Sequence, residues 1–262
     1  MVEKYVSISP YVYVANNPVR LIDPNGMEII GDVDEVERLK KKAEKRIASK
    51  TRRQEKLQGK IDKRSASGKS TSGLEQRLAQ SQSVSGEMKG MLGEISTMEK
   101  SDQVYNVSTN YTGKDSDGET RYNSSTGAVD IMVSSSYLGN GGLAHELTHA
   151  YQFESGKIDF SKSGGGPGVL YEITDEISAY ERQFAFTGNS TSVTESYVRG
   201  LKNQNNQFLY DRVASGNLNT GSSLFMINFY KGANIPIREL SRNPQQRYVD
   251  STKGLFSNFI SR

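Results

Sequence analysis

The stretch Gly142-Leu143-Ala144-His145-Glu146-Leu147-Thr148-His149-Ala150-Tyr151 holds both histidines of the chain, four residues apart around a glutamate. On a helix, positions i and i+4 lie on one face, one turn apart. Two imidazoles placed this way reach a single zinc ion at about 2.0–2.1 Å. Glu146, beside the first of them, is placed to take a proton from a zinc-bound water. Leu143, Leu147 and Ala150 follow i, i+4, i+7 and predict an apolar stripe that buries the opposite side of the helix. Gly139-Asn140-Gly141-Gly142 breaks the chain just before this helix, and Gly156 suits its C-terminal cap.

Zinc in a catalytic site needs a third protein ligand and an open position. The chain has no Cys and no further His, so that ligand must be a carboxylate. Downstream, 169–186 predicts an amphipathic helix, with Val169, Ile173, Ile177, Tyr180 and Phe184 on its apolar side. Glu172, Asp175, Glu176 and Ala179 share another face at i, i+3, i+4, i+7. Acidic groups on a helix that packs into a core point to a metal. Glu176 is the predicted ligand, with Glu172 as the alternative. Asp175 is a candidate for orienting a histidine from behind. Ala179 allows the two helices to approach closely.

The absence of Cys excludes a disulfide scaffold, a Cys-ligated zinc ribbon, an iron–sulfur protein and a thiol enzyme. The length of 262 residues suits one large domain or two small ones. There is no apolar run of about 18 residues, so no transmembrane helix is predicted. Met1-Val2-Glu3-Lys4-Tyr5 does not open a signal peptide. Net charge is +3, unevenly spread: Arg38 to Arg64 holds 13 Lys/Arg and 3 acids, leaving the remainder at −7. A basic arm thus precedes a mildly acidic body.

That arm predicts a helix over 33–64, with Val36, Leu39, Ala43 and Ile47 on one stripe and Leu57 and Ile61 resuming it. Asp32, Asp34 and Glu35 suit its positive end. A Ser/Gly connector, 65–73, leads to a second helix over about 74–99, weakened by Gly86, Gly90 and Gly93. The two form a hairpin whose thin apolar stripe must lean on the domain C-terminal to it. Residues 103–133 predict strands, one at Val104–Val107 and one at Val129–Val133, after the turn Ser124-Ser125-Thr126-Gly127. Ser163-Gly164-Gly165-Gly166-Pro167-Gly168 lacks the Lys-Ser/Thr of a P-loop and reads as a loop bordering the cleft. In 191–262, Phe208-Leu209-Tyr210 and Leu224-Phe225-Met226 predict packed helices.

The first 30 residues differ in character. Tyr11-Val12-Tyr13-Val14 suits a short strand, and Asn16-Asn17-Pro18 and Asp23-Pro24-Asn25-Gly26 are strong turns. The segment SPYVYVANNPVRLIDPNGM, residues 9–27, resembles the closing segment of Rhs/YD-repeat core proteins. Pro18 followed by Asp23-Pro24-x-Gly26 carries the likeness. The resemblance implies a β-shell enclosing a variable C-terminal toxin domain, and a self-cleavage site that includes Asp23 and falls near Met27. The rest of that cleavage apparatus is missing from this chain, so self-cleavage is not expected here.

HExxH followed about 27 residues later by a helical glutamate resembles the gluzincin metallopeptidases. DEISAYERQF, residues 175–184, is similar to the third-ligand helix of zincin toxin domains and bacterial effector metallopeptidases. The resemblance, over about 100–190, implies zinc-dependent peptide hydrolysis by a zinc-bound water. It makes His145, His149 and Glu176 the ligands and Glu146 the general base. Two departures stand out: Tyr180 occupies the position where thermolysin-like enzymes carry an Asp, and the family's catalytic His is absent. The oxyanion donor must then be a Tyr or Arg, with Tyr171 and Tyr180 as candidates. The strand at 129–133 resembles the zincin edge strand that pairs with an extended substrate.

The expectation is an α+β chain in three parts: an Rhs-core tail (1–30), a basic helical hairpin (31–100) and a zincin-like metallopeptidase toxin domain (101–262). Its expected partners are a protein of a target cell, the Rhs shell and a cognate immunity protein, with no nucleic acid. It would be secreted or delivered by a secretion system. Two alternatives stay open: a nucleic-acid-binding toxin working through the 38–64 arm, and a non-catalytic module stabilised by zinc.

Overall fold

The computed structural model describes residues 29–213, apart from 114–115, 140, 159, 161–170, 189–191, 204–205 and 211–212. The Rhs-like segment with Asp23 and Met27, the glycine-rich loop 163–168, Val169 and the cluster at Leu224–Met226 therefore lie outside the described residues.

The chain is a mixed α+β structure. A short strand, β1 (Ile29–Gly31), leads into two long helices, α1 (Val33–Ala66) and α2 (Ser72–Met98). Asp34 and Glu35 in the first turn of α1, and Lys63 and Arg64 in its last, complement the helix dipole. Asp32, just before α1, does not cap it. Its carboxylate accepts hydrogen bonds from the Thr109 backbone N–H and hydroxyl, both at 2.7 Å, and so ties the hairpin to the sheet. α2 runs unbroken through its three inner glycines. Gly90 has a packing role: a Cβ there would come within 2.6 Å of the Arg182 guanidinium.

Three strands come next: β2 (Tyr105–Ser108), β3 (Gly118–Tyr122) and β4 (Val129–Val133). The sheet order is β1-β2-β4-β3. β1 runs parallel to β2, with Ile29 opposite Tyr105, so the helical hairpin is the crossover that a parallel pair requires. β2 and β4 are also parallel, whereas β3 is antiparallel to β4, with Gly118 opposite Val133. This corrects the expectation for 129–133. That strand is hydrogen-bonded on both sides, and among the described residues the edge beside it is β3, which sequence reasoning missed. β3 reads Gly-Glu-Thr-Arg-Tyr, too polar to advertise itself by alternation.

α3 (Ser135–Gly139), α4 (Gly142–Glu154), α5 (Ile173–Thr187) and α6 (Glu195–Arg199) complete the described elements. Gly141 sits at φ 81°, in the left-handed region, and begins α4 where a side chain would be strained. Leu143, Leu147, Ala150 and Phe153 of α4 pack into one core with Tyr105, Val129 and Ile131 of the sheet. Val36, Leu39 and Ala43 of α1 and Met88, Met91, Ile95 and Met98 of α2 belong to that same core. The thin stripe of the hairpin is thus completed by the HExxH helix. A second contact reinforces it: Arg182 of α5 pairs with Glu87 and, at 2.6 Å, with Glu94 of α2.

α5 is buried on two faces. Ile173 joins Val193 and Val198 in a small second core, with Ile177, Tyr180 and Phe184 packed against it. Asp175, Glu176 and Ala179 are buried on the other face. Phe208-Leu209-Tyr210 is not helical. Phe208 forms an antiparallel bridge with Lys202, and Phe208 and Leu209 are exposed. Among the described residues, no helix is long and apolar enough to cross a membrane.

Candidate metal centre

The i, i+4 spacing on α4 brings the two imidazoles together, with the His145 and His149 Nε2 atoms 3.2 Å apart. α5 crosses this face of α4 and delivers Glu176. Its Oε1 lies 3.2 Å from His149 Nε2 and its Oε2 lies 3.4 Å from His145 Nε2. All three residues are buried. Ligands at about 2.0–2.1 Å around a tetrahedral zinc stand about 3.3 Å from one another. The His145–His149 separation matches that edge length, and Glu176 faces each imidazole with a different carboxylate oxygen; taken one atom per residue, the three lie within 4.8 Å of one another.

The donor chemistry fits a cation as well. His145 Nδ1 and Glu176 Oε2 are buried without a hydrogen-bond partner among the described residues. Buried polar atoms are rarely left so. The burial of Glu176 alone would favour its neutral form, but the imidazoles of His149 and His145 outweigh this and hold its carboxyl well below the usual range. Burial lowers His149 in turn, and the Glu176 carboxylate overrides it, pushing His149 up to about 9. A buried carboxylate therefore holds a proton on an imidazole where a divalent metal such as zinc could sit.

The histidine orientation comes from a residue that sequence reasoning missed. Gln152, one turn beyond His149, places its Oε1 2.8 Å from His149 Nδ1 and donates from Nε2 to the main-chain carbonyl of Asp175 at 3.0 Å. This fixes His149 with its Nδ1–H toward Gln152 and its Nε2 toward Glu176. The i+3 position after His149 was the available signal. The Asp175 side chain is not the orienting group. Its carboxylate accepts from the Glu172 backbone N–H at 2.9 Å and forms a capping box with Glu172 at the start of α5. The same box occupies Glu172, the alternative ligand, at the helix N-cap.

Glu146 points to the same cleft but is not part of the triad. The Thr120 hydroxyl of β3 lies 2.8 Å from its Oε2 and 3.0 Å from its main-chain carbonyl. On the other side, Gly118 leaves room for the carboxylate: a Cβ there would stand 2.5 Å from Glu146 Oε1. Burial raises the Glu146 pKa, against the opposing pull of His145 and His149. A carboxyl group raised in this way, beside a candidate metal, has the character of a general acid–base group.

The cleft, about 160 Å³, is bordered by β3 at Gly118–Thr120, by the triad and Glu146, and by Tyr171 and Tyr210. Tyr171 donates its hydroxyl to Glu176. Burial and that carboxylate raise its pKa well above the ordinary value, so it stays a neutral donor. The Tyr180 ring stacks edge-on against His145, with centroids 4.5 Å apart, and its hydroxyl meets that of Tyr210 at 3.1 Å. Tyr180 thus packs against His145 and pairs with Tyr210, while Tyr210 itself lines the cleft. By sequence, Tyr210 falls in the apolar cluster of the tail and carries no sign of this place.

No family model matches the sequence, and neither a curated protein nor a solved structure matches it.

Proposed function

We propose that the chain is a zinc-dependent endopeptidase with a zincin-like site. One observation carries this reading: His145, His149 and Glu176 converge within 4.8 Å, and Glu146 is held in the same cleft by an edge strand. When bound, zinc supplies Lewis acidity toward water and toward a carbonyl oxygen. Among the described residues three side chains offer ligand atoms, one fewer than the four of a structural zinc site, which favours this reading over a zinc module that serves only the fold.

The chain's own residues divide the remaining work. Glu146 takes the proton of the attacking water and returns it to the leaving amine. Tyr171 and Tyr210 line the cleft, and the Tyr210 hydroxyl, or that of Tyr171 once turned from Glu176, stabilises the developing oxyanion. β3, an edge strand among the described residues, offers a place where an extended peptide adds as a further strand. The likeness of residues 9–27 to an Rhs closing segment supports placing this activity in a toxin delivered to a target cell. An Rhs shell and an immunity protein would then be its partners.

The test is peptide hydrolysis by the zinc-loaded full chain on a mixture of unfolded protein substrates, beside Glu146→Gln. Cleavage by the parent and its loss in a variant that still binds zinc are expected. Full activity in Glu146→Gln would overturn the role given to that residue.

A further inference from the structure

The basic arm remains to be accounted for. Much of its charge is balanced or solvated: Arg38 pairs with Glu35, and Lys40 pairs with Glu37 at 2.7 Å and Glu99 at 2.9 Å. One group lacks such pairing: Lys50 is half-buried, while Arg53, Arg77 and Gln80 are exposed. Lys50 and Arg53 of α1 and Arg77 of α2 line a recess of about 100 Å³, together with Gln80, the buried Ser81 and Gly188 at the end of α5. Among the described residues, none of these three cations forms an ion pair.

Their neighbours sharpen the imbalance. Arg46, one turn before Lys50, is committed to the main-chain carbonyls of Ala185 (2.9 Å) and Phe186 at the end of α5. Burial, then the charges of Arg53 and Arg46, holds the Lys50 ammonium below its ordinary pKa. Like charges at i, i+3 and i, i+4 destabilise a helix. Here they are kept together and faced by a third cation from another helix, with no acid among the lining residues.

We propose that this recess is a binding site for a compact phosphate-type anion, held by Lys50, Arg53 and Arg77 with Ser81 and Gln80 as hydrogen-bonding neighbours. Arginine forks and a lysine point charge are the groups that suit tetrahedral oxyanions. The three cations line one recess between two helices. A groove for a nucleic-acid strand would instead track a backbone along a stripe interleaved with aromatics, and no aromatic residue lines this recess. The bound anion would bridge α1 and α2, next to Gly188.

The experiment titrates the full chain with inorganic tripolyphosphate by calorimetry, beside Arg77→Gln, Arg53→Gln and Lys56→Gln. Lys56 is an exposed cation of the same helix outside the recess. Saturable binding is expected, weakened about tenfold by either arginine variant, as for one lost charge-assisted hydrogen bond, and little changed by Lys56→Gln. Circular dichroism checks that each variant keeps the helical content of the parent. Vesicles bearing phosphoinositide headgroups, compared with neutral vesicles, decide whether the phosphate is free or lipid-borne. Failure to bind tripolyphosphate overturns the proposal. So do equal losses in all three variants, which would mean a diffuse field, and Arg77-dependent binding of duplex DNA that tripolyphosphate cannot displace.

Discussion

The Thr120 hydroxyl lies 2.8 Å from Glu146 Oε2, so an edge strand of the sheet holds the carboxyl group beside the candidate metal triad. Gly118, two residues earlier on the same strand, clears the space for the other carboxylate oxygen. Strand and helix together fix the Glu146 side chain, and neither Thr120 nor Gly118 belongs to the triad.

Gly118→Ala is expected to displace the Glu146 carboxylate, because the new Cβ would stand 2.5 Å from Oε1. Metal content should stay at the parent level. Hydrolysis should fall about 10²-fold, the usual cost of a misplacement of about an ångström at a reacting group. Parallel zinc analysis and kcat measurement on the variant check both halves.

Glu146→Gln keeps the shape of the side chain and removes its basicity. Peptide hydrolysis should drop by about 10²–10⁴, the contribution of a positioned acid–base group, with zinc stoichiometry unchanged. Competition with a chromogenic chelator, run beside the kinetics, separates loss of chemistry from loss of metal.

Gln152→Leu removes the partner of His149 Nδ1 and frees the ring. Zinc affinity should weaken about 10–100-fold, as for other groups that orient a ligating histidine. An unchanged dissociation constant would show that packing alone sets the ring.

Zinc affinity should rise with pH up to about 9. The Glu176 carboxylate raises His149 to about 9 in the metal-free chain, so a proton occupies the site below that value and must leave before metal binds. The gain per pH unit should be close to tenfold for one displaced proton and should flatten above about 9. Affinities measured in buffers of increasing pH test this. A curve flat from about pH 6 upward would contradict the ion pair.

The hairpin is anchored through Arg182, whose side chain is 17% exposed and pairs with Glu87 and Glu94. Arg182→Ala should cost about 1–3 kcal/mol, between the values for exposed and buried pairs, because Glu87 and Glu94 lose their common cation. Urea unfolding monitored by far-ultraviolet circular dichroism gives the value.

The elements with strong periodicity are legible from residues alone. His145, Glu146 and His149 share a helix with a complete apolar stripe, and the absence of Cys and other His forces a carboxylate as third ligand. The two faces of 173–187 are separable because Glu172, Asp175, Glu176 and Ala179 recur at helical spacing beside, not within, the stripe of Ile173, Ile177, Tyr180 and Phe184. What escapes depends on the sheet. β3 carries Glu119, Thr120 and Arg121 in a row, which hides a strand whose neighbour supplies most of the burial. Without β3, 129–133 reads as the edge, and the hold of Thr120 and Gly118 on Glu146 is invisible. Asp175 and Glu172 go to the helix cap because a β-region Glu172 satisfies the first turn of α5. That leaves Gln152 to orient His149.

The most direct measurement is the metal content of the purified full chain by elemental analysis, before and after zinc addition, beside His145→Ala. Near one zinc per chain in the parent and none in the variant is the predicted result. A parent chain that holds no zinc after addition and dialysis, or a variant that holds as much as the parent, would contradict the metal centre on which the account rests.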